Sequence, residues 1–229
     1  MQLLDQLWKK YPHAEMDMFV FPEEILSQGK RITYKSREII VSRGDYPQYL
    51  YFIISGVTIG SREYEDGNAY DYFQLDTKNG SIGLLEILAQ KSQYIATVMS
   101  ISEVEILRID SAIIYTYIME NPEMLRRCVT HVSRDLYAAS GNNGILYYLN
   151  GVNRLRYYLV SYYDSHKSSG KKVIVQEGYQ DIARQIGSSI RTVGRGIHTL
   201  KENQEIISIN KKIVLTEKER EILSNNLWS

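Results

Sequence analysis

The sequence predicts an α+β chain in which a β sandwich or barrel is followed by a long helix and then a winged helix-turn-helix. Three observations carry this expectation. Short apolar runs broken by turn residues fill Glu38 to Ile109. An apolar seam at helical spacing begins at Leu125, and two short amphipathic segments joined at Gly187 lie between Tyr179 and Glu202.

At 229 residues the chain has room for two modest domains. Its 44% hydrophobic and 24% charged residues are the balance of a soluble globular protein. No apolar run could span a bilayer, and Met1 to Lys10 lacks the apolar stretch of a signal peptide, so a cytoplasmic location without a membrane partner is expected. Cys128 is the only cysteine, which excludes a disulfide framework and, within one chain, thiolate-ligated zinc or iron–sulfur sites. The histidines His13, His131, His166 and His198 are too dispersed for a local metal cluster. With no recognisable catalytic set, the chain reads as a non-enzyme with no cofactor and no metal.

The net charge of zero hides an asymmetry. Residues 1–120 hold 11 basic against 17 acidic side chains, and residues 121–229 hold 16 against 10. An acidic half joined to a basic half fits a sensor attached to a polyanion-binding domain.

The first strands are read from the turns that bound them. Tyr49 to Ile54 is an unbroken apolar run between Arg43-Gly44-Asp45 and Ser55-Gly56. Glu65-Asp66-Gly67-Asn68 contains the Asp-Gly pair that favours a hairpin, and Glu103 to Ile106 alternates polar with apolar.

After Asn121-Pro122 the period changes. Leu125, Val129, Val132, Leu136 and Ala139 recur at spacings of four and three, and the same count reaches Asn143 and Leu146. This is the seam of a coiled-coil dimer, in which a buried Asn can fix register; a single amphipathic helix packed on its own domain would also produce it. Gly141, Gly144 and Gly151 mark a joint, a further helix is expected from about Val152 to Tyr163, and Ser165 to Lys172 reads as a polar loop.

In the segment Tyr179 to Glu202, Ile182, Ala183 and Ile186 form the inner face of a first short helix, and Gly187 stands at the turn. Ser188 or Ser189 can cap a second helix, whose inner face is Val193, Ile197 and Leu200. Arg191, Thr192, Arg195, His198 and Thr199 then point elsewhere, so a helix-turn-helix would set this second helix in a major groove, whereas an ordinary helical hairpin would not. Glu205 to Leu215 reads as two β-branched runs around Asn210-Lys211-Lys212, a wing with a cationic tip. Arg191 and Arg195 are the candidates for guanine edges. Gln180, Ser189, Thr192 and His198 suit phosphate or auxiliary contacts, Lys211 and Lys212 suit backbone contacts, and Ile190 suits a thymine methyl or the helix's own core.

Across about Tyr34 to Val214 the chain resembles the cyclic-AMP receptor protein/fumarate-nitrate reductase regulator (CRP/FNR) family of bacterial transcription regulators. Glu38-Ile39-Ile40 to Gly44-Asp45 and Leu50 to Gly56 look like the opening of that family's β roll. Glu105 to Asp110 and Glu120 to Glu123 look like the roll's close and the start of the dimer helix, and Gly187 to Leu200 is similar to the DNA-reading helix. The resemblance implies an N-terminal jelly-roll sensor, a double-stranded β-helix, over residues 1–121. It further implies a dimerisation helix over 122–149 and a winged DNA-binding domain over 150–229. Expected partners are an inverted-repeat DNA operator, a second copy of the chain, RNA polymerase and a small-molecule effector. Ile190 stands where the cyclic-AMP-binding branch has its guanine-reading arginine, and Arg191 where it has glutamate, so a different operator is expected.

The family's nucleotide cassette pairs Gly-Glu-Leu with Arg-Ser-Ala, and the matching positions here are Gly83-Leu84-Leu85 and Tyr94-Ile95-Ala96. Without the charged pair a cyclic phosphate loses its partner, so cyclic AMP is not expected to be the effector. Ser140 matches an adenine-contacting serine, with Ala139 in place of its threonine neighbour. The tyrosines of the roll, among them Tyr49, Tyr51, Tyr64, Tyr70, Tyr72 and Tyr94, suggest a pocket for an aromatic or weakly charged ligand, with Tyr64, Tyr72, Gly83, Leu84, Tyr94, Ile95 and Ser140 as its expected lining; half-buried strand tyrosines with wet hydroxyls would look the same. Two rival functions remain: a ligand-binding module whose winged helix contacts proteins, and a barrel enzyme with an accessory domain.

Overall fold

A computed structural model describes residues 3–12, 20–65, 67, 69–78, 80–167, 172–209 and 212–228, with the backbone alone at 142–143 and 145–147. His13, Asp66, Asn68, Lys211 and loop residues 168–171 lie outside the described residues, as do the side chains of Asn143 and Leu146. The chain divides into two compact units, 1–62 with 72–140 and 63–71 with 141–229.

The β roll consists of two four-stranded sheets. One has the order β1 (Lys30–Tyr34), β8 (Val104–Asp110), β3 (Tyr49–Ser55), β6 (Ser81–Ile82). The other has the order β2 (Ile39–Val41), β7 (Thr97–Ser100), β4 (Thr58–Glu63), β5 (Ala69–Leu75). The unbroken apolar run of β3 has a physical reason, because both faces of the strand are covered. Leu50 and Phe52 pack with Leu107 and Ile109 toward the helices, while Tyr51 and Ile53 pack with Val104 and Ile106 inside the roll. The register Tyr51↔Arg108, Phe52↔Leu107, Ile53↔Ile106 keeps the two sets apart at the strand period of two.

Helices α1 (Leu3–Lys10), α2 (Glu23–Leu26), α3 (Leu84–Leu88) and α4 (Ser111–Glu120) accompany the roll, and the sequence pattern had given none of them. Asp110 ends β8 and starts α4, its carboxylate accepting the Ala112 N–H at 2.8 Å. Next comes α5 (Pro122–Tyr148), with Asn121 accepting from Met124 N–H at 3.1 Å and Pro122 at the first helical position, where no N–H is missed.

The second unit is built on α6 (Gly151–His166), whose start Asn150 caps through Asn153 N–H at 2.9 Å. Around it lie β9 (Val173–Ile174), α7 (Tyr179–Gln185), α8 (Ile190–Glu202), β10 (Ile207–Ile209), β11 (Lys212–Leu215) and α9 (Glu217–Asn225). Leu155, Leu159, Ile182, Ile197, Leu200, Leu215 and Leu223 are its fully buried core. α8 approaches α6 closely at Gly196, where an added Cβ would stand 2.9 Å from a Leu155 methyl. β10 and β11 pair antiparallel, and β11 also pairs with β9, a two-residue strand too short to be read from the sequence.

Candidate nucleic-acid interface and sensor cleft

The chain leaves α7 through a left-handed residue. Gly187 has φ +60, which lets Ser188 N–H turn back to the Ala183 carbonyl at 2.9 Å and start α8 within two residues. The turn is further held by Arg154, whose Nη1 donates to the Gly187 carbonyl at 3.2 Å while its Nε donates to the Leu149 carbonyl at 3.0 Å. Ser189 is the helix cap, accepting from Thr192 N–H at 3.1 Å, and its hydroxyl also meets that of Thr192 at 2.9 Å.

Val193, Ile197 and Leu200 are buried, as their spacing requires, while Ile190, Arg191, Arg195 and His198 are exposed. Arg191 and Arg195 stand one turn apart, and among the described residues neither forms an ion pair. Like charges at this spacing destabilise an isolated helix by about 0.2–0.5 kcal/mol, a strain that a bound polyanion removes. His198 lies 3.3 Å from the Glu202 carboxylate, with both side chains largely in solvent. Gln180 is exposed on the first turn of α7, and Lys212 on β11 donates to the Gln176 side chain at 2.6 Å. Ser189 and Thr192 serve the fold first. Their polar atoms close the helix end, so any contact they make with a ligand is shared with that duty.

On α5 the seam separates into two parts. Met124 and Cys128 are buried in the chain's own core and Leu125 is half-buried beside them, so the first turns pack at home. Burial raises the Cys128 thiol to about 11, which leaves it protonated and unreactive. Further along, Val129 and Leu136 are 56% and 66% exposed and Ala139 is exposed, which leaves an apolar face with no cover from the chain among the described residues.

The expected effector residues do not gather into one pocket. A cleft of 540 Å³ opens on the roll, lined by Arg43, Gly44, Arg62, Lys91, Ser92, Gln93, Tyr94 and Ile95, so of the expected set only Tyr94 and Ile95 reach it. Leu84 is turned into the helix-side core beside Leu50 and Phe52, because at the start of α3 an apolar side chain is drawn to that interior. Tyr94 is buried with its hydroxyl donating to the Tyr49 carbonyl at 2.8 Å; burial first, then the nearby Tyr51, Glu86 and Asp45, hold it as a neutral phenol. Gly83 stands behind Tyr94, while Tyr64, Tyr72 and Ser140 are exposed. Arg43, Arg62 and Lys91 had no signal in the sequence, since only sheet order brings them together.

Among the described residues no group of His, Cys, Asp and Glu could hold a metal ion, and no helix is long and apolar enough to cross a membrane.

Residues 31–121 match the cyclic nucleotide-binding domain family. The cAMP-activated global transcriptional regulator CRP of Salmonella typhimurium is 25% identical over 188 residues, which cover 80% of this chain and 87% of that one. Among solved structures, the c-di-GMP-responsive global regulator CLP of Xanthomonas campestris superposes with a TM-score of 0.73 at 18% identity, covering 84% of this chain and 96% of its own. A CooA mutant of Carboxydothermus hydrogenoformans gives 0.68 at 16%, covering 94% and 97%. A CRP/FNR-family regulator of Thermus thermophilus gives 0.64 at 22%, covering 85% and 98%.

Proposed function

From the premise that this chain is a member of the CRP/FNR family of transcription regulators, we propose that it is a homodimer that reads an inverted-repeat DNA operator through α8 under the control of a small molecule held in its β roll. The observation that carries the reading is the division of α8. Val193, Ile197 and Leu200 fix one face in the core, and Arg191, Arg195 and His198 occupy the other with their polar ends in solvent. Such a helix can lie in a major groove with guanidinium forks at guanine edges and Lys212 against the sugar–phosphate backbone.

The uncovered Val129, Leu136 and Ala139 of α5 suit a second copy of the same face, which would set two copies of α8 roughly 34 Å apart along a duplex. As in other regulators of this type, RNA polymerase is the partner through which a bound dimer acts on transcription. With Leu84 and Tyr94 both packed in the interior, the effector is a molecule other than cyclic AMP.

The test is a mobility-shift assay with random duplex DNA at low salt, followed by rounds of sequence selection. Emergence of a two-fold symmetric sequence supports the reading. Indifference to DNA at low salt, or binding that no selected sequence improves, removes it.

A further inference from the structure

We propose that α1 is a dimer strap, whose apolar face packs on a second copy of this chain and extends the contact made by α5. The proposal rests on the dimer reading above and adds to it a surface and a set of residues.

The sequence of α1 is amphipathic at the helical period. At about 100° per residue, Leu3, Leu4, Leu7, Trp8 and Tyr11 fall within one arc of roughly 140°, and Asp5, Gln6, Lys9 and Lys10 fill the rest. The Tyr11 N–H still reaches the Leu7 carbonyl at 2.8 Å, so Tyr11 continues the face. A helix this short is marginal in water and holds only when its apolar face is packed. Yet no residue of α1 is buried in the single chain. Leu3 and Trp8 are 71% and 63% exposed, and Leu4, Leu7 and Tyr11 are exposed as well. Large apolar side chains gathered in one stripe mark an interaction surface, where the same residues scattered singly would not.

What covers the stripe follows from where it is tied. Arg126 of α5 donates to the Pro12 carbonyl at 3.2 Å, and the same guanidinium is held by Glu123 through Nε at 2.8 Å and Nη2 at 2.7 Å. The chain leaving α1 is thus fixed to the second turn of α5, less than a turn before Val129, where the uncovered face of α5 begins. Both surfaces belong to the same compact unit. A two-fold dimer uses the same patch on each copy, so apolar surface adjoining the α5 face is carried into the contact.

α5 alone makes that contact narrow. Val129 to Ala139 spans about 15 Å of helix, whereas a stable interface covers roughly 800 Å² on each copy. Leu3, Leu4, Leu7 and Trp8 add apolar area beside it, and Trp is a residue on which interfaces concentrate their binding energy. A lipid surface is the other occupant that an amphipathic helix suits, and charge argues against it. Helices that lie on membranes carry a polar face rich in Lys and Arg. Here Asp5 and Gln6 share that face with Lys9 and Lys10, and residues 1–120 hold 17 acidic side chains against 11 basic.

The experiment is sedimentation equilibrium of the full chain over a range of concentrations, read beside Trp8 fluorescence in Trp228→Phe, which leaves Trp8 as the only tryptophan. The wild type should be a dimer. Leu7→Asp/Trp8→Asp should raise its dissociation constant by about tenfold or more, as loss of a Trp anchor and entry of charge at an apolar contact do. Both side chains are exposed in one copy, so the circular dichroism spectrum should be unchanged. In Trp228→Phe, Trp8 should emit at short wavelength in the dimer and as a solvated indole on dilution, in step with sedimentation. Adding Leu136→Asp should give the solvated emission at every concentration. A dissociation constant within about twofold of the wild type, or solvated emission in the dimer, overturns the strap and leaves the α5 dimer standing. Short-wavelength emission that ignores concentration overturns it in favour of α1 folding onto its own chain. A shift produced only by vesicles of phosphatidylglycerol and phosphatidylcholine overturns it in favour of lipid. A wild type that stays monomeric sinks the dimer reading itself, and the strap with it.

Discussion

Arg156 of α6 is clasped by Glu205, the residue that leads into β10, through two parallel bonds: Nε to Oε2 at 2.8 Å and Nη2 to Oε1 at 2.7 Å. Both side chains are buried, Asn153 accepts a third guanidinium N–H, and Asn203 donates to the carboxylate at 3.1 Å. The pair ties the scaffold helix to the strands that follow α8.

Glu205→Gln should therefore destabilise the second unit by about 3–5 kcal/mol, because it leaves a buried guanidinium without its counter-charge. Urea unfolding followed by circular dichroism measures it, and a loss below about 1 kcal/mol would show that the pair is solvated.

Acid should act on the same pair. Burial pushes the Glu205 carboxyl up, but hydrogen bonds from Arg156 and Asn203 and the guanidinium charge outweigh it and leave the group below its ordinary range. A carboxylate whose folded value is depressed contributes stability above its unfolded value, near 4.3, and loses it as pH falls through the folded one. Stability of the wild type should decline across that acidic window, and Glu205→Gln should flatten the decline. Parallel pH profiles for the two proteins would refute the assignment.

Arg195→Ala should weaken binding to a selected operator by about 1–3 kcal/mol and relax preference at one base position, whereas Lys212→Ala should weaken all sequences alike and lower the salt slope by about one. Equilibrium titrations over single-base operator variants and several salt concentrations separate the two. Unchanged discrimination in Arg195→Ala would remove that residue from base reading.

Ser189 joins structure to binding. Ser189→Ala should lower stability by about 1 kcal/mol through loss of the bond to Thr192 N–H, while Ser189→Asp keeps a cap and adds a negative charge at the end of α8 proposed to meet DNA. The expected pattern is near-normal stability with impaired DNA binding for the aspartate variant. If DNA binding is unimpaired in Ser189→Asp, the start of α8 does not approach phosphate.

Leu136→Asp addresses self-association. With 66% of its surface free in the single chain, Leu136 contributes little to the fold of one copy, so a change there should lie within about 0.5 kcal/mol for the monomer. Sedimentation should nevertheless shift from dimer to monomer. A dimer as strong as the wild type would place the interface elsewhere.

The sequence carried the second unit well because its elements are local. The spacing of Val193, Ile197 and Leu200, the cap at Ser189 and the turn at Gly187 are each decided within a few residues, and all appear as expected. The roll was legible only where a strand is long. Tyr49 to Ile54 announced β3, but β1 and β6 are defined by partners far along the chain. Helices α3 and α4 were hidden for a related reason: their apolar content matches a buried strand until length and caps separate the two. Of the expected seam on α5, Val129, Leu136 and Ala139 are exposed, while Met124 and Cys128, one residue out of step with it, carry the contact with the roll. The cleft lay furthest from view, since Arg43, Arg62 and Lys91 share no period, only neighbours in a sheet.

Leu84 packed with Leu50 and Phe52, and Tyr94 bonded to Tyr49, give both positions an uncharged duty in the fold of the roll. Leu84→Glu alone would put a lone charge in a dry interior, and several kcal/mol is a large fraction of what holds any domain together. At the rim of the roll Arg43 and Lys91 are exposed, so a change of charge there carries no such penalty.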